Sequence, residues 1–289
     1  MTVIDDVLSE GPVLLDGAWG TELQARGLEL GTIPDYWNLE HADRVEAVAR
    51  AYVEAGSDII LTNTFRANAI ALAGHADLAK LDDVNRVGVE ISKRAAGGRA
   101  RVFASIGPSG KLLMTKQTDE SALRTAFGQQ AQALLAGGAD AIVIETMADL
   151  EEARIAIEAA RGTGLPVVAC MVYDAGKQKD RTMMGTTPEQ AAEALARAGA
   201  DVIGANCGNG IEGYVSIAAR LASATERPIW IKANAGLPKL VAGNVVYDTT
   251  AEEFASHFDA LIEAGASFVG GCCGTNPSFI AALRARLDA

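Results

Sequence analysis

Three thiols carry the most chemistry in this sequence, and two of them are adjacent. Cys272 and Cys273 lie within Gly270-Gly271-Cys272-Cys273-Gly274-Thr275-Asn276-Pro277, and Cys207 follows Gly204-Ala205-Asn206. Each group closes an apolar run, and Asn276 and Pro277 supply a capping side chain and a first-turn proline for a following helix. The thiols therefore sit where strands hand over to helices. Three thiolates from two strand ends can form three legs of a tetrahedral zinc site with the fourth position open. Buried cysteine is also an ordinary core residue, and adjacent Cys-Cys is not the C-x-x-C of a zinc knuckle. Spacing alone leaves both readings standing.

The elements that must position these thiols recur along the chain. Ala55-Gly56-Ser57-Asp58, Gly137-Gly138-Ala139-Asp140, Ala198-Gly199-Ala200-Asp201 and Ala264-Gly265-Ala266-Ser267 each end a helical pattern and open an apolar strand. Glycine just past a helix takes the left-handed conformation that caps its carbonyls. Val45, Val48, Ala49, Tyr52 and Val53 have helical spacing, and Asp149/Glu152, Thr187/Gln190 and Thr250/Glu253 have capping-box spacing. Strands are expected at 13–17, 58–65, 101–106, after Asp140, and at 166–171, 201–206, 228–234 and 266–269. Eight strands alternating with helices predict an α/β fold, a single (β/α)8 TIM barrel spanning 1–289, with a doubly wound open sheet as the alternative.

Barrel active sites lie at the C-terminal strand ends. Read in order, these ends offer Asp16 and Gly17, Thr62, Ser105 with Gly107, Glu145, Tyr173, Asn206 with Cys207, Asn234, and Cys272 with Cys273. Strands are spaced ~4.8 Å apart, so thiols on strands six and eight can converge across strand seven, with Asn234 beside them. Asp16 and Glu145 could hold a cationic substrate group, with backbone N–H groups around Ser105 to Gly107 taking an anionic one. Asp16 could equally cap a turn, and Glu145 could pair with Lys232. Trp37, Phe65 and Tyr173 could form a cage for a cationic ligand or simply pack.

Composition narrows the class. The chain has 289 residues and a net charge of −12 with no basic cluster, which disfavours nucleic acid as a partner. No apolar run is long enough to span a membrane and no signal peptide is visible. Four cysteines without framework spacing argue against a disulfide scaffold, and a thiol cluster must stay reduced, so a cytoplasmic location is expected.

Five motifs taken together resemble the homocysteine S-methyltransferase family. They are Gly-Gly-Cys-Cys-Gly-Thr at 270–275, Ala-Asn-Cys-Gly at 205–208, Asp-Gly-Ala-Trp-Gly-Thr at 16–21, Thr-Asn-Thr-Phe at 62–65 and Asn-Ala-Gly-Leu-Pro at 234–238. That family includes betaine–homocysteine methyltransferases, S-methylmethionine-dependent enzymes and the homocysteine module of cobalamin-dependent methionine synthase. The resemblance implies a zinc-binding barrel that methylates homocysteine to methionine, with Cys207, Cys272 and Cys273 as ligands and the acceptor thiolate on the metal. It matches Asp16, Gly17 and Glu145 to homocysteine-binding positions. Thr62, Ser105, Gly107 and Asn206 are further substrate-binding candidates at strand ends. Asn234 is a candidate for the fourth zinc position before substrate arrives.

The sequence also departs from the family. Trp19 stands where a methionine or another residue is more usual, and Lys232-Ala233 precedes Asn234 where methionine synthases often carry Tyr-Pro. The donor is left open between betaine, S-methylmethionine or another sulfonium, and a methylcorrinoid carried by a separate protein. Three alternatives stand beside this reading. One is a zinc methyltransferase for another thiol, and another is a zinc-storage protein. The third is a metal-free phosphate-binding barrel lyase using Lys232 as a Schiff base.

Overall fold

A computed structural model describes residues 2–74, 77–241 and 244–289. The strands are β1 (Val13–Leu14), β2 (Ile59–Ile60), β3 (Arg101–Ile106), β4 (Ala141–Met147) and β5 (Val167–Met171). They continue with β6 (Val202–Gly210), β7 (Ile229–Asn234), β8 (Lys239–Val241), β9 (Asn244–Val246) and β10 (Ala266–Gly271). Eight of them pair in parallel in the order β1-β10-β7-β6-β5-β4-β3-β2, and a parallel bridge from Leu15 to Ile59 closes the ring. Helices lie between successive barrel strands. The expected (β/α)8 barrel is therefore the fold. Gly56, Gly138, Gly199 and Gly265 all have φ between 88° and 99°, as the recurring helix-to-strand handover requires.

The core has two parts. One lies between the sheet and the helices, where Val45, Val48, Ala49, Tyr52 and Val53 bury the expected helical face. The other fills the barrel interior with Val13, Leu15, Ile59, Phe103, Val143, Val168, Cys170, Trp230 and Phe268. The helix Val3–Leu8 closes the N-terminal end of this interior with Ile4.

Two expectations are revised. The strand expected at 58–65 is hydrogen-bonded as a strand only at Ile59–Ile60. Beyond Leu61 the backbone carbonyls are taken by side chains: Asn38 Nδ2 donates to Asn63 and Gln130 Nε2 to Thr64, each at 2.8 Å. The β8–β9 antiparallel hairpin after β7 was not anticipated. Among the expected capping boxes, Thr187 and Gln190 bond reciprocally. Asp149 caps through Glu151, while Glu152 reaches instead to the Ser109 amide at 2.7 Å.

Candidate active site

Inward-facing side chains recur every second residue along a strand. Each strand thus climbs from an apolar floor to a polar layer: Phe103 to Ser105, Val143 to Glu145, Gly204 to Asn206, and Trp230 to Lys232. The floor is aromatic, with Trp230 at 6.0 Å from Phe103 and 5.2 Å from Phe268 between ring centroids. Gly204 makes room for it, since a Cβ there would lie 2.1 Å from the Trp230 carbonyl oxygen.

Above the floor the three thiols converge. Cys207 Sγ lies 3.2 Å from Cys272 Sγ and 3.6 Å from Cys273 Sγ. A disulfide would be near ~2.05 Å, and all four cysteines are free. Sulfurs around a tetrahedral ion with Zn–S bonds of ~2.3 Å stand ~3.8 Å apart, close to this spacing. Cys170 stays in the floor, outside the cluster. Contacts from Cys207 and Cys272 hold the Cys273 thiol below its ordinary pKa, and contacts from Cys272 and Cys273 together with burial raise Cys207. Cys272, against the downward pull of Cys207, is pushed up to about 12 by Cys273 and burial. Three sulfur donors at this spacing suit a soft cation.

The backbone around the thiols is strained and held. Cys207 and Thr146 are non-glycine residues at φ 62° and 61°. Such conformations cost of order 1–3 kcal/mol and persist only when the surroundings enforce them. Asn206 does so: its Oδ1 accepts the Thr146 amide and its Nδ2 donates to Thr146 Oγ1, both at 2.7 Å. Tyr214 donates its hydroxyl proton to the Cys207 carbonyl. Thr275 Oγ1 donates to the Cys272 carbonyl at 2.8 Å and accepts the Ala18 amide at 3.2 Å. Asn234 lies between the two thiol segments, and its Nδ2 donates to the Gly208 carbonyl at 3.1 Å. Its Oδ1 is buried with no hydrogen-bond partner.

A cavity of about 450 Å³ opens beside the thiols. Of the expected substrate residues, Gly17, Thr62, Ser105 and Glu145 line it, whereas Asp16, Gly107 and Asn206 stand behind its wall. Asp16 forms a buried ion pair with Lys232, and its other oxygen accepts Trp19 Nε1 and the Leu61 amide, both at 2.7 Å. Those contacts engage both its oxygens, and Asp16 does not itself line the cavity. Glu145 accepts a hydrogen bond from the Ser105 hydroxyl and one from Asn206 Nδ2 at 3.3 Å. Burial pushes its carboxyl up to about 7, against the opposing pull of Lys232. Burial would lower Lys232, but the Asp16 and Glu145 carboxylates outweigh it and hold the ammonium above its ordinary range. Lys232 is thus a charged, paired group, not the free amine a Schiff base needs.

Other expectations change at this level. The Ser105 and Gly107 amides are not free for a substrate carboxylate: they donate to Thr62 Oγ1 at 3.1 Å and to the Phe65 carbonyl at 2.8 Å. Gly107 instead clears space for the Phe65 ring, which a Cβ would meet at 2.5 Å. Trp37 is buried against His41 and Arg44, and neither it nor Tyr173 lines the cavity. The aromatic rings that do are Phe65 and Trp19. Asp35 and Arg66 also line it and were missed; neither sits in a motif, and only the folding of two loops onto each other brings them there. A larger cavity of about 720 Å³ at the opposite barrel end is bordered by the Lys93–Asp140 and Arg284–Asp58 ion pairs and holds none of the thiols.

A closed barrel with three thiols and a buried carboxylate at its C-terminal mouth defines a (β/α)8 protein built around a thiol cluster that could hold a metal ion. The particular family follows from comparison: residues 13–287 match the homocysteine S-methyltransferase family, and the chain belongs to it. It is 34% identical to a methionine synthase of Mycobacterium tuberculosis and 32% identical to one of Mycobacterium leprae, each over 95% of this chain. The chain spans only 24% of the length of those relatives. Its fold is similar to that of the homocysteine methyltransferase MmuM from Escherichia coli. The oxidized form has a TM-score of 0.81 at 24% identity, covering 98% of this chain and 99% of that one. The metallated form has a TM-score of 0.80 at 24% identity, covering 96% of each. No helix among the described residues is long and apolar enough to cross a membrane.

Proposed function

We propose that this chain transfers a methyl group to the thiol of homocysteine, giving methionine, and that residues 1–289 act as one homocysteine-binding barrel domain. The observation that carries the proposal is the convergence of Cys207, Cys272 and Cys273 on one edge of a cavity whose floor presents Glu145. Zinc is the metal these residues fit, because the donors are all thiolates at tetrahedral spacing. When bound there, zinc supplies deprotonation of a thiol that joins it and so makes that sulfur a nucleophile.

The chain's own residues do the rest. Glu145 meets the substrate ammonium, with Ser105 and Asn206 orienting its carboxylate. Lys232 is kept from the ammonium's place by its pairing with Asp16. Gly17 borders the cavity without a side chain, where a Cβ would strike Thr275 and Tyr52 at 2.7 and 2.8 Å. Asn234 contributes a neutral oxygen next to the thiols, supported by its unpartnered Oδ1, and an incoming thiolate would displace it readily. The reading requires reduced thiols and therefore a reducing compartment, the cytoplasm.

Two measurements on the purified protein test the proposal. Metal analysis should give about one zinc per chain. Homocysteine supplied in parallel with S-methylmethionine, betaine, dimethylsulfoniopropionate and methylcobalamin should yield methionine with at least one donor. Methylcobalamin stands in for a separate corrinoid protein. No methionine from any donor with the zinc-loaded protein would refute the proposed activity.

A further inference from the structure

The loop from Thr62 to Asn68 leaves β2 and forms one wall of the cavity mouth. Its backbone is held from outside at nearly every residue. Asn38 and Gln130 take the carbonyls of Asn63 and Thr64, the Gly107 amide takes that of Phe65, and Asn85 Nδ2 takes that of Ala67, all at 2.8 Å. Asp35 Oδ1 accepts the Arg66 amide at 2.9 Å, and its carboxylate is 2% exposed. Asp35 therefore fixes the point at which Arg66 leaves the loop.

Against this restraint one side chain is uncommitted. Arg66 is exposed, borders the cavity, and its guanidinium makes no hydrogen bond or ion pair with a described residue. The other cation lining the cavity, Lys232, is already paired with Asp16. A pinned backbone removes the cost of ordering the loop when the guanidinium binds, and the planar fork of that guanidinium matches a carboxylate. Arg66 also stands across the ring from Cys207: β2 and β6 are four strands apart in a ring of eight, while β10, which leads into Cys272 and Cys273, is two strands away. Trp19 and Phe65 present rings to the space between.

We propose that Arg66 selects the methyl donor, binding the carboxylate of a small onium compound whose charged methyl-bearing centre lies against Trp19 and Phe65. The inference rests on the methyl-transfer reading above. In the reaction the bond from the methyl carbon to the onium sulfur or nitrogen breaks, and that heteroatom keeps the pair and becomes neutral. The sulfur of homocysteine, its proton already lost to solvent, supplies the pair of the new bond. The carboxylate is assigned to the donor and not to homocysteine because the acceptor's amino-acid end faces Glu145 on the floor, while Arg66 is at the rim.

The test compares two sulfonium donors that differ in the carboxylate, dimethylsulfoniopropionate and trimethylsulfonium, in the full-length protein and its Arg66→Ala and Arg66→Lys variants. In Arg66→Ala the KM for dimethylsulfoniopropionate should rise about tenfold or more, the loss expected for one charge-assisted contact. The KM for trimethylsulfonium, the KM for homocysteine and the zinc content should not change. Arg66→Lys should recover part of the loss, and calorimetric binding of dimethylsulfoniopropionate should weaken in parallel. An equal effect on both donors, or a rise in the KM for homocysteine instead, would overturn the assignment. So would a wild-type protein that makes methionine from methylcobalamin but from neither sulfonium, a result that leaves the methyl-transfer reading intact. Failure with every donor would remove both.

Discussion

Cys207, Cys272 and Cys273 differ from ordinary buried cysteines in what surrounds them. Cys170 sits alone in the floor among Trp230 and the valines, whereas the sulfurs of the other three all lie within 4.8 Å of one another. Replacing any one of the three by Ala should therefore abolish zinc retention, read by metal analysis after dialysis; Cys170→Ala should not. Glu145 does different work. Glu145→Gln keeps the size of the side chain but removes the charge proposed to meet the substrate ammonium, so the KM for homocysteine should rise about tenfold or more with zinc content unchanged. Retained affinity with lost zinc would reverse the assignment.

At the scale of elements, the barrel wall is tied across its polar layer by Asp16 after β1 and Lys232 on β7, a pair that is 0% and 2% exposed. Removing one partner leaves the other charge buried and alone, which typically costs about 3–5 kcal/mol. Lys232→Met should lower unfolding stability by that order, and adding Asp16→Asn should recover much of it; urea unfolding of the single and double variants decides. The loop that carries Asp35 gives a pH signature. Burial raises its carboxyl from 3.8 to about 6, against hydrogen bonds that pull the other way. Because the folded value exceeds the unfolded one, this contribution to stability is fully present below about pH 4 and is lost as pH rises through 6. The rise is worth about 3 kcal/mol at ~1.4 kcal/mol per pH unit. Asp35→Asn keeps an oxygen for the Arg66 amide, so wild-type stability relative to this variant should fall between pH 4 and 7. A constant difference would contradict the burial argument.

These elements also show what was legible in the sequence. The alternation of glycine-led strands and capped helices marked the barrel, since both signals are local: helix ends need left-handed glycines and buried strands need apolar runs. The thiols were legible for the same reason, as each ends a strand. Asp16 and Lys232 were each noticed, but their pairing was not, because it joins residues 216 positions apart on strands that become neighbours only through β10. A lysine inside Ile229-Trp230-Ile231-Lys232-Ala233-Asn234 was the one hint that an inward charge needed a buried partner. The sequence extends the second strand over Asn63 to Phe65 because the partners of these carbonyls, Asn38, Gln130 and the Gly107 amide, come from three distant segments.

In the whole molecule, the work is divided along the barrel axis. The helix Val3–Leu8 and an aromatic floor close one end, a polar layer of paired charges lies above, and thiols, carboxylate and cavity open at the other. The central claim is that this open end holds one zinc on three cysteines with a place left for the acceptor thiol. Zinc-edge X-ray absorption on the purified protein tests it most directly. Without substrate the metal should have three sulfur ligands and one oxygen or nitrogen. Adding homocysteine should change this to four sulfurs, in the wild type and in Asn234→Ala alike. Fewer than three sulfurs in the free protein, or a fourth sulfur that never appears with homocysteine, would contradict the account.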